Sequence, residues 1–324
     1  MKNRFVSFFC FLASVSLFAQ KDSIVNYLEE VSVVADKRNK QEALVQKRIV
    51  FNAETIVKNP TNFTSLLRYN SPIVFKDFGN GGTSSARFRG TSASNTVVLW
   101  NGININSVGS GQTDFNSLSA NTADQIIIKS GGSSLQYGSG SIGGAVHLKD
   151  VLTFEPHKDY QFFSSYGSFN TTSNFFKSNY GGGKWAIKVA GVFNKSNNDY
   201  EYIDDRYTDE DGDSWKNENG NYINYGIDFS LGCKFSDVNK IYFYSTGYYG
   251  DRLFSNGLPN PSAGSERNED FNQRNLLKWL YKFGGFTQLL NASFITQEYR
   301  YYADKDAGDF DFGKSQKALL DYSL

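Results

Sequence analysis

Nine carboxylates crowd one stretch of the chain: Asp199, Glu201, Asp204, Asp205, Asp209, Glu210, Asp211, Asp213 and Glu218. Side chains this close repel one another unless a cation collects them, and Ca²⁺ accepts six to eight oxygen ligands in a flexible geometry. Asp209-Glu-Asp-Gly-Asp213 is not an EF-hand loop, because its glycine comes fourth instead of sixth. A solvated surface loop explains the same residues without a metal. The only histidines are His147 and His157, so acid/base triads and histidine-rich metal centres lack their usual residue. With Cys10 and Cys233 as the only cysteines, neither a disulfide framework nor a cysteine-rich metal site can be built. Gly138-Ser-Gly-Ser-Ile-Gly143 satisfies the dinucleotide fingerprint, but that motif needs a helix behind it. Ala145-Val-His-Leu148 is β-type instead, and the glycines read as tight turns. These residues predict a binding protein and no enzyme.

The elements that position them are strands. The 324 residues carry no net formal charge, 20% are charged and 16% aromatic, with 30 glycines and 5 prolines. That is a mostly β composition, and it disfavours a basic nucleic-acid binder and an acidic solvating tail. Lys2 and Arg4 precede an apolar stretch from Phe5 to Ala19, which Gln20, Lys21 and Asp22 end. Residues 1–19 therefore read as a secretory signal peptide.

From about Tyr160 the sequence breaks into segments of strand length. In Gly226 to Phe235, Ile227, Phe229, Leu231, Cys233 and Phe235 alternate with Gly226, Asp228, Ser230, Gly232 and Lys234. In Lys184 to Asn194, Trp185, Ile187, Val189 and Phe193 share one face, with Lys184, Lys188 and Asn194 on the other. Period-two patterns of this kind give strands with one oily and one wet face. Lys240 to Gly250 is too rich in tyrosine on both faces to assign. Connections alternate between tight (181–183, 236–239, 284–285) and long (195–221, 251–272), as periplasmic turns and extracellular loops do in an outer-membrane barrel. Tyr242, Tyr244, Tyr248, Tyr249, Tyr299, Tyr301 and Tyr302 suit an interfacial girdle. A secreted β-sandwich adhesin or glycan-binding module would show the same alternation strand by strand.

Residues 36–149 follow another pattern. Thr96-Val-Val-Leu-Trp100 and Gln125-Ile-Ile-Ile-Lys129 are unalternating β runs between Gly/Ser/Asn-rich loops, as buried strands require. One short helix is expected between Asn52 and Tyr69, with Asn59 or Thr61 near its start. The run Ser84-Ser-Ala-Arg-Phe-Arg-Gly-Thr-Ser-Ala-Ser-Asn-Thr-Val-Val-Leu-Trp-Asn-Gly102, then Ala123-Asp-Gln-Ile-Ile-Ile-Lys-Ser-Gly131 and Leu135-Gln-Tyr-Gly-Ser-Gly-Ser-Ile-Gly-Gly-Ala-Val146, resembles the plug of TonB-dependent outer-membrane receptors. Arg89 to Ser94 and the loop Ile105 to Asp114 are most similar to the cobalamin (vitamin B12) receptors of that family. Asn101, Gly132 and Ser71-Pro72 depart from its usual pattern.

The resemblance implies a mostly β protein: a plug domain (36–149) inside a transmembrane antiparallel β-barrel (150–324), after an N-terminal segment at 20–35. Barrels of this class have 22 strands. About eight strands are expected after Tyr160, so the chain would hold the plug and roughly the first third of the wall, a truncated barrel. Glu29-Glu30-Val31-Ser32-Val33-Val34-Ala35 resembles the TonB box, which adds itself as a strand to TonB. The alternative is an ordinary edge strand. By the same likeness Asp209, Asp211, Asp213 and Asp251 would hold structural Ca²⁺ in external loops, and Phe78, Asn80, Ser107, Ser110 and Gln112 would touch substrate. No further cofactor is expected. The resemblance implies TonB and its inner-membrane motor, outer-membrane lipid and a small scarce nutrient as partners, with no nucleic acid. Cobalamin is the first choice, and a siderophore or haem on the same scaffold the alternative.

Overall fold

The computed structural model describes residues 47–58, 62–131, 137, 139–203, 214–255 and 264–324. The expected leader at 1–19, the segment 29–35, and Asp209, Asp211 and Asp213 lie outside the described residues. Among the described residues no helix is long and apolar enough to cross a membrane, which says nothing of strands.

Strand β1 (Lys47–Asn52) leads into helices α1 (Ala53–Val57) and α2 (Phe63–Asn70), then the hairpin of β2 (Val74–Asp77) and β3 (Ser84–Arg87). The sequence suggests one helix here, and the structure has two because two asparagines cap separate first turns. Asn52 Oδ1 accepts from Thr55 N at 2.9 Å and Asn62 Oδ1 from Ser65 N at 2.7 Å, each satisfying an otherwise free amide. Phe63, Leu66 and Leu67 make the buried stripe of α2.

Strands β4 (Thr96–Trp100), β5 (Ile103–Asn104), β6 (Gln125–Ser130) and β7 (Gly144–Lys149) join β1 in a five-stranded sheet of order β1-β6-β7-β4-β5, in which β4 and β7 run parallel. Both expected buried runs are strands here. One face sends Val98, Trp100, Ile126, Ile128, Val146 and Leu148 into the main core with Leu66 and Leu67. The other holds Val97, Leu99 and Ala145, with His147 against the edge of Tyr137 at 5.1 Å. A single 3-10 turn (Ser139–Ser141) precedes β7, so no helix follows the glycine motif and the dinucleotide reading fails on geometry. Gly143 is sterically required, since a Cβ there would strike Thr91 Oγ1 and come within 3.0 Å of Asn95 O.

The second half is one antiparallel eight-stranded sheet. Its strands are β8 (His157–Gly167), β9 (Thr171–Gly182), β10 (Trp185–Ser196), then, after a small ribbon of β11 (Glu201–Ile203) and β12 (Ser214–Lys216), β13 (Tyr222–Lys234), β14 (Asn239–Leu253), β15 (Arg267–Phe283), β16 (Phe286–Tyr302) and β17 (Asp311–Ser323). Each pairs with the next in chain order, as in an up-and-down wall. The inner face packs on the first half: Tyr244, Leu276 and Ile295 of the wall belong to the same buried cluster as Val98 and Trp100. No second large sheet faces the wall among the described residues, so a sandwich is not the fold.

Four details correct the sequence reading. The first wall strand starts at His157, not Tyr160, which takes His157 out of the linker; its Nδ1 lies 2.8 Å from Glu155 O. Strands β14 and β15 outrun their expected ends, so their loop is 254–266 and Asp251 lies within a strand. The turn between β8 and β9 is short although it lies on the long-loop side, with Phe169 (φ 60°) and Asn170 (φ 52°) in the left-handed region that tight hairpins demand. Tyr242, Tyr244 and Tyr248 leave the expected girdle and face inward: Tyr242 packs on Phe154 and Tyr244 on Trp100, 6.1 and 6.3 Å between ring centres.

The outer face is apolar where alternation predicts it. Ile227 is 63% exposed and Phe229 37%, whereas Ser230 between Phe229 and Leu231 is buried. Register sets Leu231 beside Phe243, Leu277 beside Phe243 on the other side, and then Ala292 and Leu320 in one row. Trp279, Tyr281, Phe283 and Phe286 form a ring stack at the tight-turn end, with centres 6.3, 5.7 and 6.0 Å apart.

His147 has a structural role with a pH signature. Burial first, then the charges of Lys129, Lys149 and Arg48, push its ring down to about 3. In the folded plug the ring stays neutral where an unfolded chain would take up a proton near pH 6.5, so its contribution is complete above that pH and lost as pH falls towards 3. Thermal unfolding of the plug in detergent should therefore weaken by a few kcal/mol, as an order of magnitude, between pH 7 and 4. His147→Phe, which keeps the ring contact with Tyr137, should flatten that window; an unchanged slope would assign the pH dependence to other groups.

Candidate functional site

Two plug loops and one end of the wall meet at Asp114. Loop 78–83 closes through Phe78 N to Thr83 O at 3.1 Å and Gly82 N to Gly79 O at 3.0 Å. Gly82 cannot carry a side chain, because its Cβ would sit 2.5 Å from Phe78 O. Loop 104–113 is folded around Asn106, a buried amide that a search of the sequence for exposed polar loop tips passes over. Its Nδ2 donates to Thr96 O at 2.9 Å and Gly111 O at 2.8 Å, and its Oδ1 accepts from Val98 N at 2.9 Å and Thr113 Oγ1 at 3.1 Å. All its main hydrogen-bonding capacity is used, so it fixes the loop against β4.

Asp114 then joins the loops to each other and to the wall. Its Oδ1 accepts from Ser84 N at 2.8 Å and Asn116 N at 3.0 Å, and its Oδ2 from Arg252 at 2.8 Å. Asn116 Nδ2 reaches Gly79 O at 2.8 Å and Gly82 O at 2.9 Å. Arg252, near the end of β14 and 2% exposed, also donates to Gly82 O at 3.0 Å and pairs with Asp270.

The residues expected to touch substrate fall on these two loops. Phe78 is 65% exposed, with Lys76 Nζ 5.1 Å above its ring. Asn80 is exposed and its Oδ1 accepts from Asn62 Nδ2. Ser107 N donates to Gln112 O and Gly111 N to Ser107 O, both at 2.9 Å, while Ser110 and Gln112 stand at the tip. The surface offers a ring, hydroxyls and amides, which suits recognition; it holds no nucleophile paired with a base. Asp251 stands apart, on the outer face of β14, where Arg267 grips both its oxygens at 2.7 and 2.8 Å. Among the described residues no group of three or more metal-ligating side chains forms.

Deeper along the interface lies a second set that the alternation marked only as wet-face positions. Lys188 on β10 is wholly buried and pairs with Asp124 at 2.9 Å and Asp150 at 2.5 Å; Lys177 on β9, 2% exposed, also pairs with Asp124. Burial drives the Asp124 carboxyl up, but the ammonium groups of Lys188 and Lys177 outweigh it and hold it below the usual carboxylate range. Asn101 completes the chain of contacts: its Nδ2 donates to Asp150 Oδ2 at 2.6 Å and its Oδ1 accepts from Asp150 N at 2.9 Å. An amide can do both, and a carboxylate at this position would face Asp150 with like charge, which accounts for the departure from the family pattern at Asn101. Lys278 to Asn101 O (3.0 Å) and Lys317 to Asn104 O (2.6 Å) add two more wall-to-plug contacts.

Removing one partner of a buried ion pair leaves the other charge unpaired, a loss of about 3–5 kcal/mol. Arg252→Ala should therefore loosen the apex, seen as faster amide exchange at Ser84 and Asn116, whose N–H groups Asp114 holds, with exchange in β6 unchanged. Equal protection in the variant would show that Asp114 orders the loops without the wall.

Known proteins bear on this arrangement at two levels. The profile of the TonB-dependent receptor plug domain matches residues 40–145. The vitamin B12 transporter BtuB of Vibrio vulnificus (strain YJ016) is 32% identical over 126 residues, 38% of this chain and 21% of that protein. Among solved structures, the siderophore receptor PirA from Acinetobacter baumannii superposes with a TM-score of 0.63 at 19% identity, covering 85% of this chain and 44% of that one. A mutant of the ferric enterobactin receptor PfeA from Pseudomonas aeruginosa gives 0.61 at 15%, covering 87% and 46%. This chain thus spans about a fifth of the length of its curated relative and less than half of the solved receptors. Residues 40–145 are the plug domain of a TonB-dependent receptor, and the strands that follow share the fold of that family's barrel wall.

Proposed function

We propose that the protein is an outer-membrane receptor that captures cobalamin outside the cell and imports it, unchanged, with energy delivered by TonB and its inner-membrane motor. The observation that carries this reading is the ordered apex: two exposed polar loops, fixed by Asn106 and Asp114, at the long-loop end of a wall whose outer face is apolar. A surface built to hold a ligand, mounted on a plug, needs work from elsewhere to release it. The identity to a vitamin B12 transporter across the plug region supports cobalamin over other nutrients. The fold neighbours that bind siderophores support the scaffold and leave a ferric chelate as the rival ligand.

In this reading residues 29–35 form the TonB box and residues 1–19 direct export. Capture begins on Phe78, Asn80, Ser107, Ser110 and Gln112, with Asp209, Asp211, Asp213 and Asp251 ordering the external loops around Ca²⁺. Calcium would have to draw Asp251 from Arg267, its present partner. The plug then rearranges under pull from the periplasm.

Labelled cyanocobalamin, offered to cells bearing the receptor with and without residues 29–35, tests these roles together. The intact receptor should bind and accumulate it, the deletion should bind without accumulation, and a calcium chelator should weaken binding in both. Uptake surviving the deletion would misplace the coupling segment, and binding of a ferric chelate in place of cobalamin would transfer the site to the rival ligand.

A further inference from the structure

The plug segment from Ser117 to Ala123 is pinned at both ends and loose between them. Asp114 before it is held by Arg252, and Asp124 after it by Lys177 and Lys188, all from the wall. Its internal bonds are local: Ser117 Oγ donates to Asp114 O at 2.7 Å, Thr122 Oγ1 to Ser119 O at 3.2 Å and Ala123 N to Ala120 O at 3.2 Å. Beyond the one-turn helix that ends at Ser117, the segment belongs to no helix and no strand.

Behind it, between plug and wall, lies a cavity of about 40 Å³. Ser117, Ser119 and Thr122 line it from the plug, and Asp228, Thr246 and Arg274 from the wall. Arg274 is 5% exposed and its Nε has no hydrogen-bond partner. A polar space of this size holds a few waters, which satisfy groups the protein leaves open.

We propose that this hydrated seam is where the passage opens: segment 117–123 swings from the wall about its two ion-paired ends, freeing a path along the inner faces of β10, β13, β14 and β15. Three observations favour this place over the rest of the interface. Parting groups that already face water exchanges one set of hydrogen bonds for another, whereas parting the contacts around Leu66, Leu67 and Val98 exposes dry apolar surface. Moving the segment breaks no sheet ladder. The anchors are shared, since Asp124 has two lysines and Lys188 two carboxylates, so the Asp124 end can release one contact while keeping another. With a guanidinium, carboxylates and hydroxyls on its walls, the path takes a hydrophilic solute carrying both donors and acceptors.

The proposal rests on the uptake reading, and the test separates the two. Receptors with Cys233→Ser and a single new cysteine, Thr122→Cys in the seam or Thr64→Cys in the dry core, are exposed in cells to a small anionic thiol reagent while accumulation of cyanocobalamin is followed. Both positions are buried at rest. Labelling at Thr122→Cys should rise at least several-fold during uptake, with Thr64→Cys at background. Accumulation without labelling at Thr122→Cys, or with equal labelling at Thr64→Cys, overturns the proposal. If cyanocobalamin does not accumulate, the substrate reading fails, and the same comparison is made with a ferric chelate under the same criteria. Ser119→Cys replaces Thr122→Cys if the latter does not fold.

Discussion

A lysine with no exposed surface needs a negative charge beside it, and Lys188 is such a residue in the middle of a wall strand. Its partners are Asp124 within the plug and Asp150 at the plug's end, so neither half of the molecule is electrostatically complete alone. Each half carries charges that only the other neutralises. This constraint fixes the height of the plug against the strands and the face each strand turns inward. The apolar outer face follows by alternation, because a residue next to an inward lysine must point outward.

The same sharing of contacts organises the apex. Asp114 orders its own turn, receives an amide from Ser84 at the start of β3 and meets Arg252 of the wall, so three elements share one carboxylate. Asn106 shapes loop 104–113 chiefly through backbone groups, which leaves Ser110 and Gln112 at the tip. Rigid support beneath exposed side chains favours affinity, because less freedom is lost on binding. It also makes the charged contacts between plug and wall the natural place for any rearrangement to begin.

Much of this was legible in the residues. Alternation from Ile227 to Cys233 identified the outward face, and the unalternating runs at Thr96–Trp100 and Gln125–Lys129 identified buried strands, because each pattern reports which faces are covered. Tyr242, Tyr244 and Tyr248 misled because tyrosine suits both a lipid interface and an inner packing surface, and only register separates the two. Two helices looked like one because Asn52 and Asn62 cap equally well and the apolar spacing continues past the break. Lys188, Asp124, Asp150 and Arg252 were invisible as a set. They lie far apart in the chain, and nothing local says which lysine on a wet face will meet a carboxylate.

Tryptophan quenching by brominated lipid bears most directly on the claim that the strand array is a lipid-immersed wall around the plug. Trp185 is 49% exposed on the outer face of β10, whereas Trp100 is 7% exposed within the plug. In reconstituted receptors that retain only one of the two, bromine on the acyl chains should quench Trp185 strongly and leave Trp100 bright. Equal quenching of both, or an unquenched Trp185, would contradict the arrangement.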